Sequence, residues 1–451
     1  MTKEDVLREV EQFQGHKIKF AVADIDGILR GKVISKVKFL KAVKEGVGFC
    51  NVVFGWDASD TVYNNSKVTG WHTGYPDSKV TLDLSTFRTI PWDREIPFFL
   101  GDFRESETLS AVCPRFLLAQ IAKRCEDLGY TALFANEFEW FNFRETSQSL
   151  KDKGYQNPTP LTPGMFGYSV LRSSENAPYF NDLYDLLTQF DVPLEGQHTE
   201  TGTGVYEASI EYTDVLDAAD RGILFKTGVK EIAYRHEIIA SFMAKWNNEL
   251  PGCSGHIHQS LWDEGRKQNL FYDASREYNM SKLLEQYIAG QLHCLPYILP
   301  MYAPTVNSYK RFTAGSWAST SVSWGIENRT TALRVIIPDS SSARLETRVP
   351  GADANPYLSM AASLASGLYG IKNELSLNVS KTEGNEYEDG DNEPLPATLK
   401  EATDAMKSSD IAKKLFGKEF CDHFIRTREW EWEQFSKQVT NWELKRYFEI
   451  I

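Results

Sequence analysis

Residues 307–335 read NSYKRFTAGSWASTSVSWGIENRTTALRV, and residues 343–357 read ARLETRVPGADANPY. The second segment begins by alternating charged and uncharged residues. Because successive side chains of a β-strand point to opposite faces, this alternation predicts a strand with Arg344, Glu346 and Arg348 on one face. Guanidinium groups bind pairs of phosphate or carboxylate oxygens. The strand therefore either forms surface salt bridges or contributes to an anion-binding site.

The size and composition of the chain exclude several classes of protein. Its 451 residues are enough for two or more domains, each with its own core. A net charge of −13 disfavours nucleic acid or an anionic membrane as the main partner. No apolar run approaches about 18 residues, so we expect no membrane span. The six cysteines include no Cys-x-x-Cys pair, which argues against a zinc ribbon, and a reducing cytoplasm is the expected location.

Hydrophobic periodicity and turn residues predict the elements around this stretch. Residues 17–35 are expected to form a two-stranded hairpin, and residues 131–143 a strand. Residues 214–246 predict one long helix, or two helices joined near Gly228. Residues 355–375 are rich in alanine and predict a closely packed helix.

Pairs of acidic or imidazole side chains occur in strand-like segments that precede the last arginines. Glu137 and Glu139 are two residues apart, so they point to the same side of their predicted strand. His256 and His258 have the same spacing. Either pair alone is also typical of an ordinary solvated strand, so neither pair identifies a site by itself.

A third pair completes a pattern that is typical of a metal site. Glu200 and Glu207 flank Gly202 and Gly204, which permit a bend that would bring both carboxylates to one centre. Carboxylates gathered in this way repel one another unless a cation lies between them. Together with Glu346, these glutamates and histidines favour a hard divalent ion, magnesium or manganese, over structural zinc.

Acidic metal sites beside arginines are typical of enzymes that transfer phosphoryl groups. In such enzymes the metal ions bridge phosphates, and guanidinium groups neutralise the charge that develops on the transferred group. The chain has no Gly-x-x-x-x-Gly-Lys-Ser/Thr motif and no Gly-x-Gly-x-x-Gly motif after a strand. A P-loop or Rossmann nucleotide site is therefore not expected.

Motifs spread along the chain occur in an order that is specific when they are taken together. They are NEFE at 136–139, Glu200 with Glu207, GHIHQS at 255–260, NSYKR at 307–311, Asn328-Arg329 with Arg334, RLETR at 344–348 and NPYL at 355–358. In this order the chain resembles the glutamine synthetase family of bacterial type I, and its γ-glutamyl-polyamine and γ-glutamyl-amine synthetase branch. The resemblance covers about residue 15 to the C-terminus.

The resemblance implies a fold and an assembly. It implies an α+β chain with an N-terminal β-grasp-like domain over residues 1–107. A large catalytic α/β domain with a curved antiparallel sheet would follow over residues 108–451. It also implies a homo-oligomer, a dodecamer of two stacked hexameric rings, in which each active site lies between neighbouring subunits.

The resemblance also implies an activity, that of an ATP-dependent glutamate–amine ligase. ATP would phosphorylate the γ-carboxyl of L-glutamate, and an amine would then displace phosphate from the γ-glutamyl phosphate. The expected cofactors are ATP and roughly two or three Mg²⁺ or Mn²⁺ ions per site. The expected partners are these small molecules, with neither nucleic acid nor membrane.

Position within the motifs assigns each candidate residue a role by resemblance. One metal ion would be bound by Glu139, Glu200 and Glu207, and the second by Glu137, His256 and Glu346. ATP would be bound by His258, Ser260, Arg329, Arg334 and Arg344. Glutamate would be bound by Glu139, Gly252, Arg311 and Arg348. The catalytic residues would be Arg311, Arg329, Trp317 and Asp57, the last lent by a neighbouring subunit.

The loop after NSYKR departs from the family pattern. In glutamine synthetases this loop carries a glutamate that closes over ammonium and takes its proton, whereas here Trp317 stands in its place. An indole cannot accept a proton, but it offers apolar area and a cation–π face. We therefore expect an amine larger than ammonia, which would be an alkylamine, a polyamine or an aromatic amine.

Two alternatives remain. An alkylammonium ion has a pKa of about 10.4, like lysine, so it still needs a base such as Asp57, whereas a weakly basic aromatic amine needs none. Ammonia would remain the substrate if another group deprotonated it, and the protein would then be a glutamine synthetase. The second alternative is a catalytically silent family member that serves in assembly or regulation, against which the complete set of expected metal ligands argues.

Overall fold

The computed structural model describes residues 1–389 and 392–451. It has a mixed α/β architecture, with a five-stranded sheet in the N-terminal part and a nine-stranded, mostly antiparallel sheet in the remainder. The fold class expected from the sequence is thereby confirmed. In chain order the strands are β1 (Lys17–Ala23), β2 (Leu29–Ser35), β3 (Val47–Cys50), β4 (Asp77–Ile90), β5 (Ile96–Asp102), β6 (Tyr130–Phe143), β7 (Leu194–Thr199), β8 (Val205–Ile210), β9 (Thr213–Asp214), β10 (Ile239–Ser241), β11 (Gly255–Asp263), β12 (Trp324–Ile326), β13 (Leu333–Ile336) and β14 (Arg344–Thr347).

Helices pack on both sheets and connect their strands. The expected alanine-rich helix is present as α9, which is buried along most of its length. In chain order the helices are α1 (Lys3–Gln12), α2 (Lys36–Glu45), α3 (Pro114–Asp127), α4 (Ser147–Asp152), α5 (Val170–Glu175), α6 (Ala177–Gln189), α7 (Val215–Arg235), α8 (Lys282–Ile298), α9 (Pro356–Lys372), α10 (Glu386–Asp389), α11 (Leu399–Ser408), α12 (Asp410–Phe416), α13 (Lys418–Ser436) and α14 (Asn441–Tyr447).

The N-terminal sheet has a β-grasp-like arrangement. Its strand order is β2-β1-β5-β4-β3, with β1 parallel to β5 and the other neighbours antiparallel. The hairpin predicted over residues 17–35 is confirmed as β1 and β2. Helix α2 packs across β1, β2 and β4, and the side chain of Ser35 caps its N-terminus by accepting from Lys38 N at 3.2 Å.

Strand β6 lies at the centre of the larger sheet. The main path of that sheet runs β12-β13-β14-β11-β6-β8-β7, and β9 and β10 also pair with β6. Phe134, Phe138 and Trp140 are buried on one face of β6, where Phe138 stacks on Phe225 of α7. The side chains between them point to the opposite face. One face of β6 therefore builds the core, and the other face is free to carry polar groups.

Two hydrophobic clusters form the interior. One contains Phe39 and Phe54 and belongs to the N-terminal part, and the other contains Trp140 and extends to the C-terminal helices. Strand β5 contributes to both, because Phe99 packs in the first cluster and Phe98 in the second. The N-terminal sheet is thus covered on both faces. The boundary between residues 107 and 108 stays a prediction.

The helix predicted over residues 214–246 is shorter than expected. Helix α7 ends at Arg235, and residues 239–241 instead form β10, which pairs with β6. The turn between them places Glu237 at φ 56°. Gly228 does not break α7. Its missing side chain instead lets Leu187 and Trp92 pack closely against the helix. Pairing with the central strand thus overrides the helical periodicity of residues 236–246.

Among the residues that the structure describes, no helix has both the length and the apolar character that crossing a membrane requires.

Candidate active site

Strand register brings distant polar residues together on one face of the larger sheet. Glu346 of β14 lies directly between Arg334 of β13 and His258 of β11. His256 of β11 lies opposite Glu137 of β6. Because these strands are hydrogen-bonded neighbours, their facing side chains are held only a few ångströms apart.

The residues Glu137, His256 and Glu346 form what we call the arginine-flanked cluster. Each offers a ligand atom, and these atoms lie within 4.8 Å of one another. His256 Nδ1 is 3.1 Å from Glu137 Oε1 and 3.3 Å from Glu346 Oε1. Arg334 Nη1 donates to Glu346 Oε2 at 3.0 Å, and the guanidinium of Arg348 donates to Glu346 Oε1. The cluster is therefore a buried carboxylate pair set among basic groups.

The basic groups keep both carboxylates of this cluster ionised. Burial opposes ionisation of Glu346, but the charges of Arg348 and His256 outweigh it and lower its pKa to about 2. Burial also opposes ionisation of Glu137, and its interactions with His256 and His258 hold its pKa well below the usual value. Two negative charges thus persist in the metal-free site.

The second group, the glutamate-rich cluster, consists of Glu139, Glu200 and Glu207 with His198. Glu207 of β8 lies directly between Glu139 of β6 and His198 of β7. Ligand atoms of His198, Glu200 and Glu207 lie within 4.8 Å of one another. His198 Nε2 is 3.1 Å from Glu207 Oε1, and its Nδ1 is 3.7 Å from Glu200 Oε2.

The charges of the glutamate-rich cluster are poorly balanced. Burial raises the pKa of Glu139 to about 8, and the charge of Glu207 adds to the rise, although the Ser254 N–H donates to Glu139 at 2.8 Å. Burial opposes the protonation of His198, but its hydrogen bond with Glu207 raises its pKa to about 9. One imidazolium therefore offsets part of the negative charge, and a cation would offset the rest.

A glycine turn brings Glu200 and Glu207 together. Gly202 has a φ of 143° and Gly204 a φ of 72°, both in the region that side chains disfavour. A Cβ on Gly204 would lie 2.6 Å from the backbone oxygen of Asn142, so this glycine is also needed for close packing.

Sequence reasoning missed His198, and it also missed Tyr168. The imidazole of His198 stacks on the ring of Tyr168 with centroids 4.4 Å apart. His198 lies two residues before Glu200, the same spacing that drew attention to the other pairs. Period two was therefore a signal for His198, whereas Tyr168 lies in an irregular segment and had no such signal.

The donor atoms of both clusters fit divalent metal ions. Carboxylate oxygens with one imidazole suit Mg²⁺ or Mn²⁺, and a metal ion would satisfy atoms that lack a partner among the described residues. Glu200 Oε2 is such a buried atom. The predicted ligand Glu139, which lies opposite Glu207, gives the glutamate-rich cluster its third carboxylate.

A cavity of about 360 Å³ opens beside the arginine-flanked cluster. His258, Ser260 and Arg344, which were predicted to bind ATP, all line it, and so does Glu137. Arg344 Nε donates to His258 Nδ1 at 3.2 Å, and Ser260 Oγ accepts from Trp262 Nε1 at 2.9 Å. The cavity thus combines a cationic wall, an indole and a route to the predicted metal ligands.

The other two predicted ATP arginines lie at different depths. Arg334 is partly buried and pairs with both Glu346 and Glu327. Its Nη2 donates to Glu327 Oε2 at 2.5 Å. Arg329 is exposed, and its backbone oxygen accepts from Arg348 Nε at 3.1 Å. An exposed guanidinium at the rim is free to meet a phosphate that enters the site.

The residues predicted to bind glutamate meet around Arg311. Its guanidinium is buried, donates to Ser254 Oγ at 3.2 Å and to the Val349 carbonyl, and leaves Nε without a partner among the described residues. Gly252 approaches it closely, since a Cβ there would lie 2.8 Å from Arg311 Cγ. Burial lowers the pKa of Arg311, so an incoming carboxylate would be stabilising there.

Trp317 lies on a loop that is fixed to the backbone of Arg311. The Thr313 N–H and Ser316 Oγ both donate to the Arg311 carbonyl oxygen, at 2.9 and 2.8 Å. Trp317 follows with a φ of 60° and an indole that is 55% exposed. The loop therefore presents an aromatic ring to solvent directly beside the predicted glutamate site.

Tyr387, which sequence reasoning also missed, connects this loop to the arginines. Its hydroxyl donates to the Ala318 carbonyl at 3.0 Å. Burial raises its pKa, and the charges of Arg348 and Arg311 oppose the rise. The phenol thus lies between the Trp317 loop and the predicted glutamate site.

Asp57 lies apart from these residues in the N-terminal part of the chain. Its carboxylate accepts from Trp430 Nε1 at 2.9 Å and from the Ser59 and Thr61 N–H groups at 2.9 and 3.0 Å. Within one subunit it is held in a turn beside α13. Its role at the site of a neighbouring subunit stays a prediction.

Comparisons with known proteins agree with this geometry. The family described as "Glutamine synthetase, catalytic domain" matches residues 111–447. A protein named type-1 glutamine synthetase 2, from Dictyostelium discoideum, is 50% identical over 457 residues, which cover 100% of this chain and 87% of that protein. A protein named glutamate–isopropylamine ligase, from Pseudomonas sp, is 36% identical over 457 residues, which cover 100% of this chain and 99% of that protein.

A solved structure described as a GmaS/ADP complex has the same fold. It superimposes with a TM-score of 0.85 at 24% sequence identity and covers 98% of this chain and 99% of its own. The fold extends over both sheets, and the sequence match covers the segments that carry both acidic clusters. The resemblance drawn from the motifs is confirmed, and the chain belongs to the glutamine synthetase family.

Proposed function

We propose that this protein joins the γ-carboxyl of L-glutamate to an organic amine, as an ATP-dependent γ-glutamyl-amine synthetase. ATP phosphorylates the γ-carboxylate, and the amine then attacks the γ-glutamyl carbon and displaces phosphate. Membership of the glutamine synthetase family supports the ligase chemistry. When bound at the two acidic clusters, Mg²⁺ or Mn²⁺ would neutralise negative charge on the phosphates.

The cavity beside the arginine-flanked cluster would hold the nucleotide. His258, Ser260 and Arg344 hold the nucleotide in their cavity, so that its phosphates lie towards Glu137. Arg329 and Arg334 stabilise the charge that develops on the transferred phosphoryl group. The exposure of Arg329 supports this role, because a mobile guanidinium can follow the phosphate.

Arg311, Arg348 and Gly252 hold glutamate. Arg311 Nε has no partner among the described residues, and this supports carboxylate binding because a buried guanidinium is stabilised by an anion. The absence of a side chain on Gly252 lets the chain pack closely against the stem of Arg311, which fixes the position of this arginine. Glu139, which is directed to the same region, completes the predicted set of contacts.

The position of Trp317 carries the proposal of an organic amine. The residues from Thr313 to Ser319 contain no carboxylate, and the indole is exposed on a loop anchored to Arg311. An alkyl or aromatic group buries apolar area against an indole, whereas ammonium has no apolar area to bury there. The relative named glutamate–isopropylamine ligase supports the same class of substrate.

A neighbouring subunit would supply the base. We propose that Asp57 reaches the site of the next subunit in a ring, within a dodecamer of two hexamers. Exposed apolar side chains support assembly, because large apolar patches on a protein surface mark interaction sites. They include Phe166, Val170, Leu171 and Phe448, each at least 50% exposed.

Phosphate release with a panel of amines tests the proposal. The assay contains L-glutamate, ATP and Mg²⁺ with isopropylamine, ethanolamine, putrescine, aniline or ammonium chloride. We expect kcat/KM for at least one organic amine to exceed that for ammonium by about tenfold or more. Trp317→Ala should raise KM for that amine, and the matched Trp317→Phe variant should retain the preference because it keeps an aromatic ring.

The second candidate function is glutamine synthesis from ammonia, which the 50% identity to a protein named type-1 glutamine synthetase 2 favours. Ammonium as the clear best substrate would establish it and end the first proposal. A total lack of amine-dependent ATP turnover with every amine would instead indicate a silent family member.

A further inference from the structure

Helix α13 contacts the turn that carries Asp57, although the two segments are far apart in sequence. Trp430 Nε1 donates to Asp57 Oδ2 at 2.9 Å across 373 residues. The indole is only 6% exposed, and its ring packs edge-to-face on Tyr63 with centroids 5.8 Å apart. An indole has a single polar atom, which can only donate. The packing therefore fixes the ring, and its N–H is committed to the carboxylate that we propose as the base.

The two oxygens of Asp57 are held by different parts of the chain. Oδ1 accepts from the N–H groups of Ser59 and Thr61, which belong to the same turn. The Asp57 N–H donates to the Thr61 carbonyl at 2.9 Å and the Asp60 N–H to the Asp57 carbonyl at 3.0 Å, which closes the turn. Among the described residues, only Trp430 donates to Oδ2. The turn thus positions the residue, whereas Trp430 fixes the rotation of its carboxylate.

A second anchor holds the turn independently of α13. Arg30 of β2 donates through Nη1 to Asp60 Oδ1 at 2.7 Å, and its guanidinium lies 5.0 Å from the ring centroid of Trp56. The backbone of Trp56 also pairs with that of Val62 across the turn. Loss of the Trp430 hydrogen bond should therefore leave the turn folded while its carboxylate gains freedom to rotate.

Asp57 keeps the capacity to accept a proton. An ionised carboxylate has about four lone-pair sites, and the N–H donors of Ser59, Thr61 and Trp430 occupy all but one of them. Within the described residues Asp57 forms no ion pair, and it is only partly buried. A substrate ammonium group can then approach the remaining lone pair without displacing a lysine or an arginine. The orientation of the carboxylate decides whether that lone pair faces the substrate.

Charged groups of neighbouring elements surround this contact. Arg428 and Glu431 lie on α13, and Asp26 lies in the turn between β1 and β2. Arg428 Nη2 donates to Asp26 Oδ1 at 2.5 Å. Burial raises the pKa of Glu431, and the charge of Asp57 contributes to that rise. Replacing the uncharged indole of Trp430 alters none of these charges, so its effect on catalysis would report on the hydrogen bond.

We propose that Trp430 is a positioning residue, which holds the Asp57 carboxylate in the orientation that takes a proton from the incoming ammonium group. This inference rests on the proposed function, in which Asp57 is the base at the site of a neighbouring subunit. Asp57 takes the proton from the ammonium nitrogen, and the neutral amine then attacks the γ-glutamyl carbon and displaces phosphate. Trp430 acts through Asp57 and not on the substrate.

Steady-state rates of the full-length protein with three nucleophiles test the proposal. Isopropylamine and ammonium chloride are charged at neutral pH, whereas hydroxylamine is weakly basic and largely uncharged. Trp430→Phe keeps an aromatic ring beside Tyr63 and removes only the donor. It should lower kcat/KM for both charged amines by about tenfold, and Asp57→Asn should lower it by about 100-fold. Neither change should alter kcat/KM for hydroxylamine, which needs no base.

The pH dependence gives a readout that a loss of packing would not change. Without a positioned base, the reaction depends on the free amine, whose fraction rises about tenfold per pH unit below its pKa of about 10.4. The kcat/KM of Trp430→Phe for isopropylamine should therefore rise more steeply with pH than that of the unaltered protein. Trp432→Phe is the matched control, because Trp432 lies on the same helix and packs against the core. Its rates and pH dependence should equal those of the unaltered protein.

The outcomes separate this inference from the proposed function. Unchanged rates in Trp430→Phe, or equal losses with hydroxylamine and the charged amines, would overturn the positioning role even where Asp57→Asn is impaired. A preference for ammonium over isopropylamine would refute the organic amine but still test Trp430, because ammonium is also charged. Full activity of Asp57→Asn would overturn both the base and its positioning.

A second variant decides the outcome if Trp430→Phe fails to fold, which thermal unfolding would reveal. Asp57→Glu keeps a carboxylate but moves it by one methylene group, and α13 stays unaltered. It should show the same selective loss with isopropylamine and ammonium, and none with hydroxylamine. An Asp57→Glu variant as active as the unaltered protein would show that orientation is unimportant and would overturn the proposal.

Discussion

The two acidic clusters lie side by side on one sheet, yet they balance their charges differently. In the arginine-flanked cluster, Arg334 and Arg348 contact Glu346 directly, and its pKa falls to about 2. In the glutamate-rich cluster no arginine pairs with a glutamate among the described residues, and the pKa of Glu139 rises to about 8. The first cluster is therefore stable without a metal ion, and the second is strained until a cation binds.

The largest effect is expected from Glu346→Gln. This change leaves Arg334, Arg348 and His256 buried without their shared counter-charge, so the free energy of unfolding of the metal-free protein should fall by about 3 kcal/mol. Urea denaturation in the presence of a chelator measures it. Glu327→Gln is the matched control, because Glu327 also pairs with Arg334 but is exposed, and its loss should cost less than about 1 kcal/mol. Equal losses of unfolding free energy in Glu346→Gln and Glu327→Gln would refute the contrast between the buried and the exposed partner of Arg334.

Glu139→Gln should have the opposite sign in metal-free protein. Burial and Glu207 raise the folded pKa of Glu139 from 4.5 to about 8, so its contribution is fully present below pH 4.5 and is lost as the pH rises through 8. The glutamine variant should therefore lose less stability between pH 5 and 9 than the unaltered protein. Thermal unfolding with chelator across this range measures the difference.

The same variant should respond less to metal. We expect Mn²⁺ to raise the melting temperature of the unaltered protein by binding the folded state, and Glu139→Gln should reduce that gain. Glu346 behaves in the reverse manner with pH, because its lowered pKa means that its contribution is lost as the pH falls from 4.5 towards 2. The assignment of strain to Glu139 would be contradicted if the stability of Glu139→Gln and that of the unaltered protein depended on pH in the same way.

The smallest effect is expected from His198→Asn. The pKa of His198 is raised from 6.5 to about 9, so its charge stabilises the folded protein fully below pH 6.5 and ceases to do so above pH 9. At pH 7 the variant should lose about 1 kcal/mol of unfolding free energy without metal, and less with Mn²⁺. A loss that is independent of both pH and metal would indicate a packing role instead.

Local periodicity predicted which residues share a face of one strand, but not which residues of different strands lie opposite each other. The spacing of Glu137 with Glu139 and of His256 with His258 assigned each pair to one side of a strand. That His256 lies opposite Glu137 is a matter of register between segments more than 100 residues apart, and the local pattern carries no information on it. The family resemblance supplied that part of the prediction.

Other features depended on contacts that a single segment does not show. The strand β10 formed where helical periodicity continued, because pairing with β6 satisfied its backbone. His198 was missed because a lone histidine beside a glutamate is common, and Tyr387 because it lies in an acidic, polar segment without hydrophobic periodicity. The predicted role of Asp57 involves the active site of a neighbouring subunit, so the structure of one chain does not test it.

The anchoring of the Trp317 loop has a consequence for how substrate preference can change. Two of the hydrogen bonds that fix the loop end on the main-chain oxygen of Arg311, whereas we propose that the side chain of the same residue binds glutamate. Under this proposal the groups that bind the amino acid and the amine are attached at one point but use different atoms. Substitutions within residues 313–319 should then change the preferred amine while glutamate binding is retained.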